Sequence, residues 1–176
     1  MHIIADITAR QRTEEALRQR EAELNEAQRV AHMGNWMWEA ETDAFTWSEE
    51  ISRIYGLDPT ACPPRLEDRR GMFTPESWAR LKPARENAMQ TGAFYELDLE
   101  LVRPDGMKRW INVRGEAVRD ASGRVVRLRG TTHDITERKR AAEALRESET
   151  RFRTLFHGSG PPAHCPDSIG WARSRR

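Results

Sequence analysis

Five histidines (His2, His32, His133, His157, His164) and two cysteines (Cys62, Cys165) are the residues of this chain best suited to hold a metal or attack an electrophile. Their spacing supports neither role. No two histidines stand in His-x-x-x-His order, and no cysteine belongs to a Cys-x-x-Cys pair or a Cys/His metal set. Cys62 lies in Thr60-Ala61-Cys62-Pro63-Pro64 with no basic helical neighbour to lower its thiol pKa, so no redox role is indicated. There is no Gly-rich phosphate loop, no Ser/His/Asp arrangement and no kinase or cyclase signature. The chain therefore reads as having no catalytic centre and no metal site. Two side chains keep some chemical interest. His133 precedes Asp134 where a strand should give way to a helix, and its protonation would change the charge there, although a plain strand-end histidine is the simpler reading. Arg85 falls on the apolar stripe of a helix, where it either meets an anionic ligand or snorkels to the rim and pairs with an acid.

The elements that would position these residues are framed by a repeat. Asp6-Ile7-Thr8-Ala9-Arg10-Gln11-Arg12 with Glu15-Ala16-Leu17-Arg18 recurs as Asp134-Ile135-Thr136-Glu137-Arg138-Lys139-Arg140 with Glu143-Ala144-Leu145-Arg146, giving nine identities in register. Two copies of one junction imply one structural unit between them. Thr8 and Thr136 are each placed to cap a following helix, with Gln11 three residues after Thr8 as in a capping box. Leu17 and Leu24 stand one heptad apart, as do Leu145 and Phe152. Such short seams predict either weak parallel coiled coils or solvated helices lying on their own domain.

Between the junctions the pattern is that of a small sheet. Trp36 and Trp38 alternate with Met37 and Glu39, and residues 44–47 form a second strand after a short polar turn. Ser48 caps a helix bearing the stripe Ile51, Ile54, Tyr55, which Gly56 ends. The stretch 60–70 begins as a Pro-rich loop and is compatible with a short helix from Leu66. Thr74-Pro75 then opens a longer helix whose face carries Trp78, Leu81, Arg85, Ala88 and Met89, with Pro83 kinking or splitting it before Gly92 stops it. Tyr95, Leu97, Leu99 and Leu101 alternate with Glu96, Asp98 and Glu100, the clearest half-buried strand in the chain. The turns Arg103-Pro104-Asp105-Gly106 and Asp120-Ala121-Ser122-Gly123 lead into two more strands, and Arg114, Arg127 and Arg129 are placed to pair with the acidic face of the third. The order ββααβββ predicts an α+β fold, an antiparallel sheet with helices on one face.

Gly34-Asn35-Trp36-Met37-Trp38-Glu39, Phe45-Thr46-Trp47-Ser48, Tyr55-Gly56-Leu57-Asp58-Pro59, Arg103-Pro104-Asp105-Gly106 and Asp134-Ile135-Thr136-Glu137-Arg138 occur in an order that resembles a PAS domain of the Trp-rich subclass with its C-terminal motif. The resemblance covers roughly residues 31–140 and implies a five-stranded antiparallel sheet around a small cavity, from a multi-PAS signal-transduction protein such as a sensor histidine kinase. Thr74-Pro75 stands where the family usually has His-Pro. A heme-binding PAS domain takes its axial histidine from the long helix, and residues 75–90 contain none; the flavin photoreceptor subtype needs a cysteine in a setting unlike that of Cys62. Heme and covalent flavin are therefore not expected, while an unidentified small ligand is compatible with a cavity near Tyr55, Trp78, Arg85, Met89 and Leu99. A fully packed interior with no ligand is equally compatible.

The expected organisation is the tail of a preceding unit and a helix start (1–12), a linker helix (13–32), the PAS domain (33–136), a C-terminal signalling helix leading to a truncated unit (137–156) and a disordered tail (157–176). Asp134, Ile135 and Thr136 are the expected coupling residues. A homodimer through the flanking helices is expected, with neighbouring PAS or effector domains as partners. The effector would be a histidine kinase in a phosphorelay or, alternatively, a cyclic-di-GMP enzyme; a ligand-free dimerisation scaffold is the other alternative. Lys plus Arg (29) nearly balances Asp plus Glu (28), so no global field draws the protein to nucleic acid. No apolar run approaches the roughly 20 residues needed to cross a bilayer, the N-terminus lacks a signal-peptide pattern and the cysteines suit a reducing compartment. A cytoplasmic location with no direct membrane contact is expected.

Overall fold

The computed structural model of the chain describes residues 2–65 and 67–157. It divides into two units, Met1–Lys139 and Arg140–Arg176. The elements in order are α1 (His2–Val30), β1 (Met33–Glu39), β2 (Phe45–Trp47), α2 (Glu49–Tyr55), a 3-10 helix (Glu67–Met72), α3 (Pro75–Thr91), β3 (Tyr95–Val102), β4 (Lys108–Arg119), β5 (Val125–Asp134) and α4 (Thr136–His157). The second unit is described as far as His157 and is there a continuation of α4. The helix start placed at Leu66 and the tail from residue 158 lie outside the described residues.

The strands form one antiparallel sheet in the order β2-β1-β5-β4-β3, as the alternation and turn signals predict. The last strand thus inserts between the first and the fourth. The four longer strands bury residues on one face: Trp36 and Trp38 on β1, Leu99 and Leu101 on β3, Ile111 and Val113 on β4, Leu128 on β5. These pack against Ile51, Ile54 and Tyr55 of α2 and Leu81 and Ala88 of α3, so the core lies between the sheet and those helices. At the head of α3 the Thr74 hydroxyl accepts from the Ser77 amide at 3.4 Å, and the Ser77 hydroxyl accepts from the Glu100 amide at 2.8 Å. The cap therefore also ties α3 to β3.

Several local expectations change. α1 runs back through Thr8 to His2, so Thr8 does not begin a helix. The second junction owes its break to strands β4 and β5, and no strand precedes the first among the described residues. Ser48 sits at the start of α2 but makes no side-chain cap. Its hydroxyl instead accepts from the Asn35 amide at 3.2 Å, which fastens the helix start to β1. Pro83 is held inside one unbroken α3. Ser77 and Leu81 before it and Ala88 after it are buried, and that shared burial offsets the hydrogen bond proline cannot make. Of the three arginines, Arg114 pairs with Glu96 on β3, whereas Arg127 pairs with Glu39 on β1 and Arg129 with Glu116 on β4. The cause is topological: β5 has β1 and β4 as neighbours and never touches β3.

Candidate functional site

Two clusters in the first unit carry chemical potential. One is a cavity of ≈ 30 Å³ between the sheet and the helices. β1 and β2 bring Trp36, Phe45 and Trp47 to it, α2 brings Ile51 and Tyr55, the 3-10 helix Arg69, α3 Leu81 and Arg85, and the remaining strands Tyr95, Val113 and Thr132. The aromatic rings form a connected wall. Trp36 stacks on Phe45 with centroids 5.8 Å apart, Phe45 meets Trp47 edge-on at 5.9 Å, and Trp47 lies 5.2 Å from Tyr55. Trp36 also stacks on Tyr95 at 6.5 Å, above the paired glycines Gly115 and Gly130.

Two cations enter this apolar setting. Arg69 is only 5% exposed, with its guanidinium 4.0 Å from the Phe45 centroid and 5.4 Å from that of Trp47. Its Nε and Nη2 have no hydrogen-bond partner. Burial pushes its pKa down and Arg85 adds to the effect, with Tyr55 and Tyr95 opposing it. Arg85 lies over Trp38 at 4.8 Å and faces both the cavity and an outer groove of ≈ 370 Å³ shared with Asp43, Arg65, Glu67 and Asp68. Burial drives the Tyr95 phenol well above its usual range and raises that of Tyr55 too, so both hydroxyls stay protonated at neutral pH.

The second cluster is the junction at the end of β5. One oxygen of the Asp134 carboxylate accepts from the Thr136 amide at 2.9 Å and from its hydroxyl at 2.5 Å, while the other accepts from Arg109 at 2.6 Å. Thr136 Oγ1 accepts from the Trp110 amide at 3.0 Å, the Ile135 amide donates to Trp110 O at 2.8 Å, and Ile135 is 2% exposed. In the first turn of α4, Lys139 pairs with Asp98 at 2.7 Å and lies over the Trp110 ring at 5.0 Å. The Asp134 amide donates to the carbonyl of His32, just past α1, at 2.9 Å. The end of α1 and the start of α4 therefore meet at one point on the sheet.

Of the five residues placed near a cavity from sequence, Tyr55 and Arg85 line it. Leu99 is fully buried in the core, and Trp78 and Met89 pack against that core away from the cavity. Asp134, Ile135 and Thr136 do come together. His133 pairs across to Met33 and Asn112 within the sheet. Arg69 escaped sequence reasoning, since it sits in a charged run indistinguishable from a solvated loop. Among the described residues no group of three His, Cys, Asp or Glu side chains is gathered to hold a metal. The cavity lining has neither histidine nor cysteine, α3 has no histidine, and Cys62 is exposed. The residues present do not fit an axial heme ligand or a flavin thiol adduct. No helix among the described residues is long and apolar enough to cross a membrane.

A family model described as the PAS fold matches residues 44–132, just over half of the chain. The probable diguanylate cyclase DgcE of Escherichia coli is 26% identical over 164 residues, covering 93% of this chain and 15% of that protein. The sensor protein FixL of Bradyrhizobium diazoefficiens is 25% identical over 125 residues, covering 71% of this chain and 25% of that protein. The crystal structure of a sensory box histidine kinase/response regulator from Burkholderia thailandensis matches with a TM-score of 0.59 and 28% identity, over 72% of this chain and 95% of that one. The chain thus spans no more than a quarter of these two curated relatives.

Proposed function

The chain belongs to the PAS fold family, and we propose on that premise that it is a cytoplasmic input module whose aromatic cavity is coupled through Asp134, Ile135 and Thr136 to α4 and from there to an effector. The observation that carries this reading is the register of β4 and β5. Val113 and Thr132, which line the cavity, are partners across the two strands, and two residues further on Ile111 is paired with Asp134, whose carboxylate holds the start of α4. A ligand that shifts Val113 or Thr132 acts on the strands that hold the helix start. Such a module needs two conformations of similar energy, one of which the ligand favours. Catalytic output belongs to other domains.

A histidine kinase within a two-component phosphorelay is the effector we favour, because the kinase structure matches both fold and most of this chain. The likeness to the diguanylate cyclase, which extends over 93% of the chain, favours a cyclic-di-GMP enzyme as the second reading. The test is a chimera in which residues 1–157 replace the input domain of a histidine kinase, with α4 joined in frame. Asp134→Asn, which keeps an acceptor for Thr136 but loses the charge facing Arg109, should change autophosphorylation about fivefold or more, equivalent to about 1 kcal/mol of population shift. Unchanged activity in a folded chimera would remove the coupling role. Attaching a diguanylate cyclase domain in parallel separates the two effectors.

The same reading includes a homodimer through the flanking helices. Leu17 and Leu24 on α1 are each 56% exposed, and Leu145 on α4 is 61% exposed. Leu17→Glu with Leu24→Glu should convert a sedimenting dimer of the full chain to monomer while leaving its circular dichroism intact. A wild-type chain that sediments as a monomer at all concentrations would refute the pairing.

A further inference from the structure

We propose that the cavity binds a small organic monocarboxylate, with its anionic head on the Arg69 guanidinium and its apolar part against the Phe45, Trp47 and Trp36 rings. This assignment rests on the sensory reading above and names the ligand class of that same cavity. It begins from an imbalance of charge and hydrogen bonding. Buried arginines are ordinarily paired, because removing a guanidinium from water is costly unless an acceptor replaces the water. Arg69 is buried, yet among the described residues no carboxylate is paired with it, and its Nε and Nη2 donate to nothing. The groups whose charge bears on it are Tyr55, Tyr95 and a second cation, Arg85. Stacking over Phe45 and Trp47 uses the face of the guanidinium and offsets part of the desolvation. A hydrogen bond with Tyr55 serves part of the guanidinium, but Nε and Nη2, which lie in its plane, remain without an acceptor. A carboxylate offers two oxygens that match two adjacent guanidinium donors.

Size and surroundings narrow the ligand further. The cavity of ≈ 30 Å³ has room for about two water molecules, which is on the scale of a carboxylate head and far too small for a nucleotide or a macrocycle. Beyond Arg85, the outer groove presents three acids, Asp43, Glu67 and Asp68, against one further cation, Arg65. A second anionic group reaching outward would meet these acids, so the groove selects against dicarboxylates. The largely apolar and aromatic wall disfavours inorganic phosphate, which has no apolar face to bury.

The test uses the full 176-residue chain with acetate, butyrate, benzoate, succinate, butyramide and inorganic phosphate, followed by tryptophan fluorescence and titration calorimetry. Saturable binding of at least one monocarboxylate, with butyramide and succinate at least about tenfold weaker, is the expected result. Arg69→Met should weaken that binding about thirtyfold, the value of a charge-assisted pair, while raising the thermal midpoint of the ligand-free chain because an uncompensated buried cation is gone. Arg69→Lys keeps the charge and covers the case in which the methionine variant fails to fold; it should bind more weakly than wild type, since an ammonium cannot present two coplanar donors. The proposal is overturned by equal binding of butyrate and butyramide, by binding of phosphate alone, by no saturation with any acid up to about 10 mM, or by unchanged affinity in both Arg69 variants. Failure here would leave the Asp134→Asn chimera result standing, because that experiment does not depend on what the cavity holds.

Discussion

Gly130→Ala should lower the urea midpoint of the domain more than any other single-methyl addition in the sheet. Gly130 sits at the centre of β5, directly across from Gly115 of β4, and the two together make a bare patch on which aromatic residues lie flat. A Cβ at Gly130 would overlap the Arg114 carbonyl oxygen and the ring of Trp36. The carbonyl belongs to the hydrogen-bonded backbone of β4 and has nowhere to go. The Trp36 ring is fixed by its stacks on Phe45 and Tyr95. Overpacking of this kind costs about 3 kcal/mol, a large share of the 5–15 kcal/mol typical of a whole domain. Gly115→Ala is the informative contrast, because the three atoms nearest its Cβ all belong to the Tyr95 side chain and none to backbone. We expect a smaller loss there, together with altered tryptophan fluorescence as Tyr95 moves against Trp36. A Gly130→Ala chain within about 0.5 kcal/mol of wild type would show that β4 and β5 are not held as tightly as this packing requires.

That glycine pair also marks the boundary of what sequence could disclose. β3 was legible because Tyr95, Leu97, Leu99 and Leu101 share one face of a strand and acids occupy the other, a pattern set within eight residues. The α3 start was legible for the same reason: Thr74 and Pro75 act on their own turn. Features that depend on which strands become neighbours were not. Gly115 and Gly130 acquire their role only when the register places them opposite each other, and Arg127 and Arg129 find acids on β1 and β4 only because β5 lies between those strands. Arg69 is the extreme case. Its run Arg65-Leu66-Glu67-Asp68-Arg69-Arg70 has the composition of a solvated loop, and its burial is imposed by Phe45 and Trp47 from a distant part of the chain. The helical stripe of α3 did place Arg85 at the cavity, but that stripe is wider than the cavity, so Trp78 and Met89 serve the core instead.

Asp134→Ala is expected to cost about 2–3 kcal/mol at pH 7 and progressively less toward pH 3. Burial by itself would raise the Asp134 pKa; the hydrogen bonds from Thr136 and the Arg109 guanidinium outweigh it and hold the carboxyl below the usual aspartate range. The sign of the linkage follows. A carboxyl with a depressed pKa in the folded state contributes stability above its unfolded value of about 3.9, and that contribution is lost as pH falls through the folded value. Removing the carboxyl therefore hurts most where it is ionised, and the wild-type and variant stabilities should converge in acid. Most of the loss belongs to the Thr136 amide and hydroxyl, because Arg109 is 37% exposed and recovers water as a partner. The effect should also be local: amide exchange in the first turn of α4 should accelerate more than in β3, since the Thr136 amide and hydroxyl lose their acceptor and the hydroxyl that accepts from the Trp110 amide is no longer held. Urea unfolding at pH 7 and pH 3, with hydrogen exchange read by mass spectrometry, measures both. A penalty that stayed constant across that pH range would mean that the carboxylate's charge does not hold the helix start, and the coupling role would then rest on Ile135 and its hydrogen bond to Trp110.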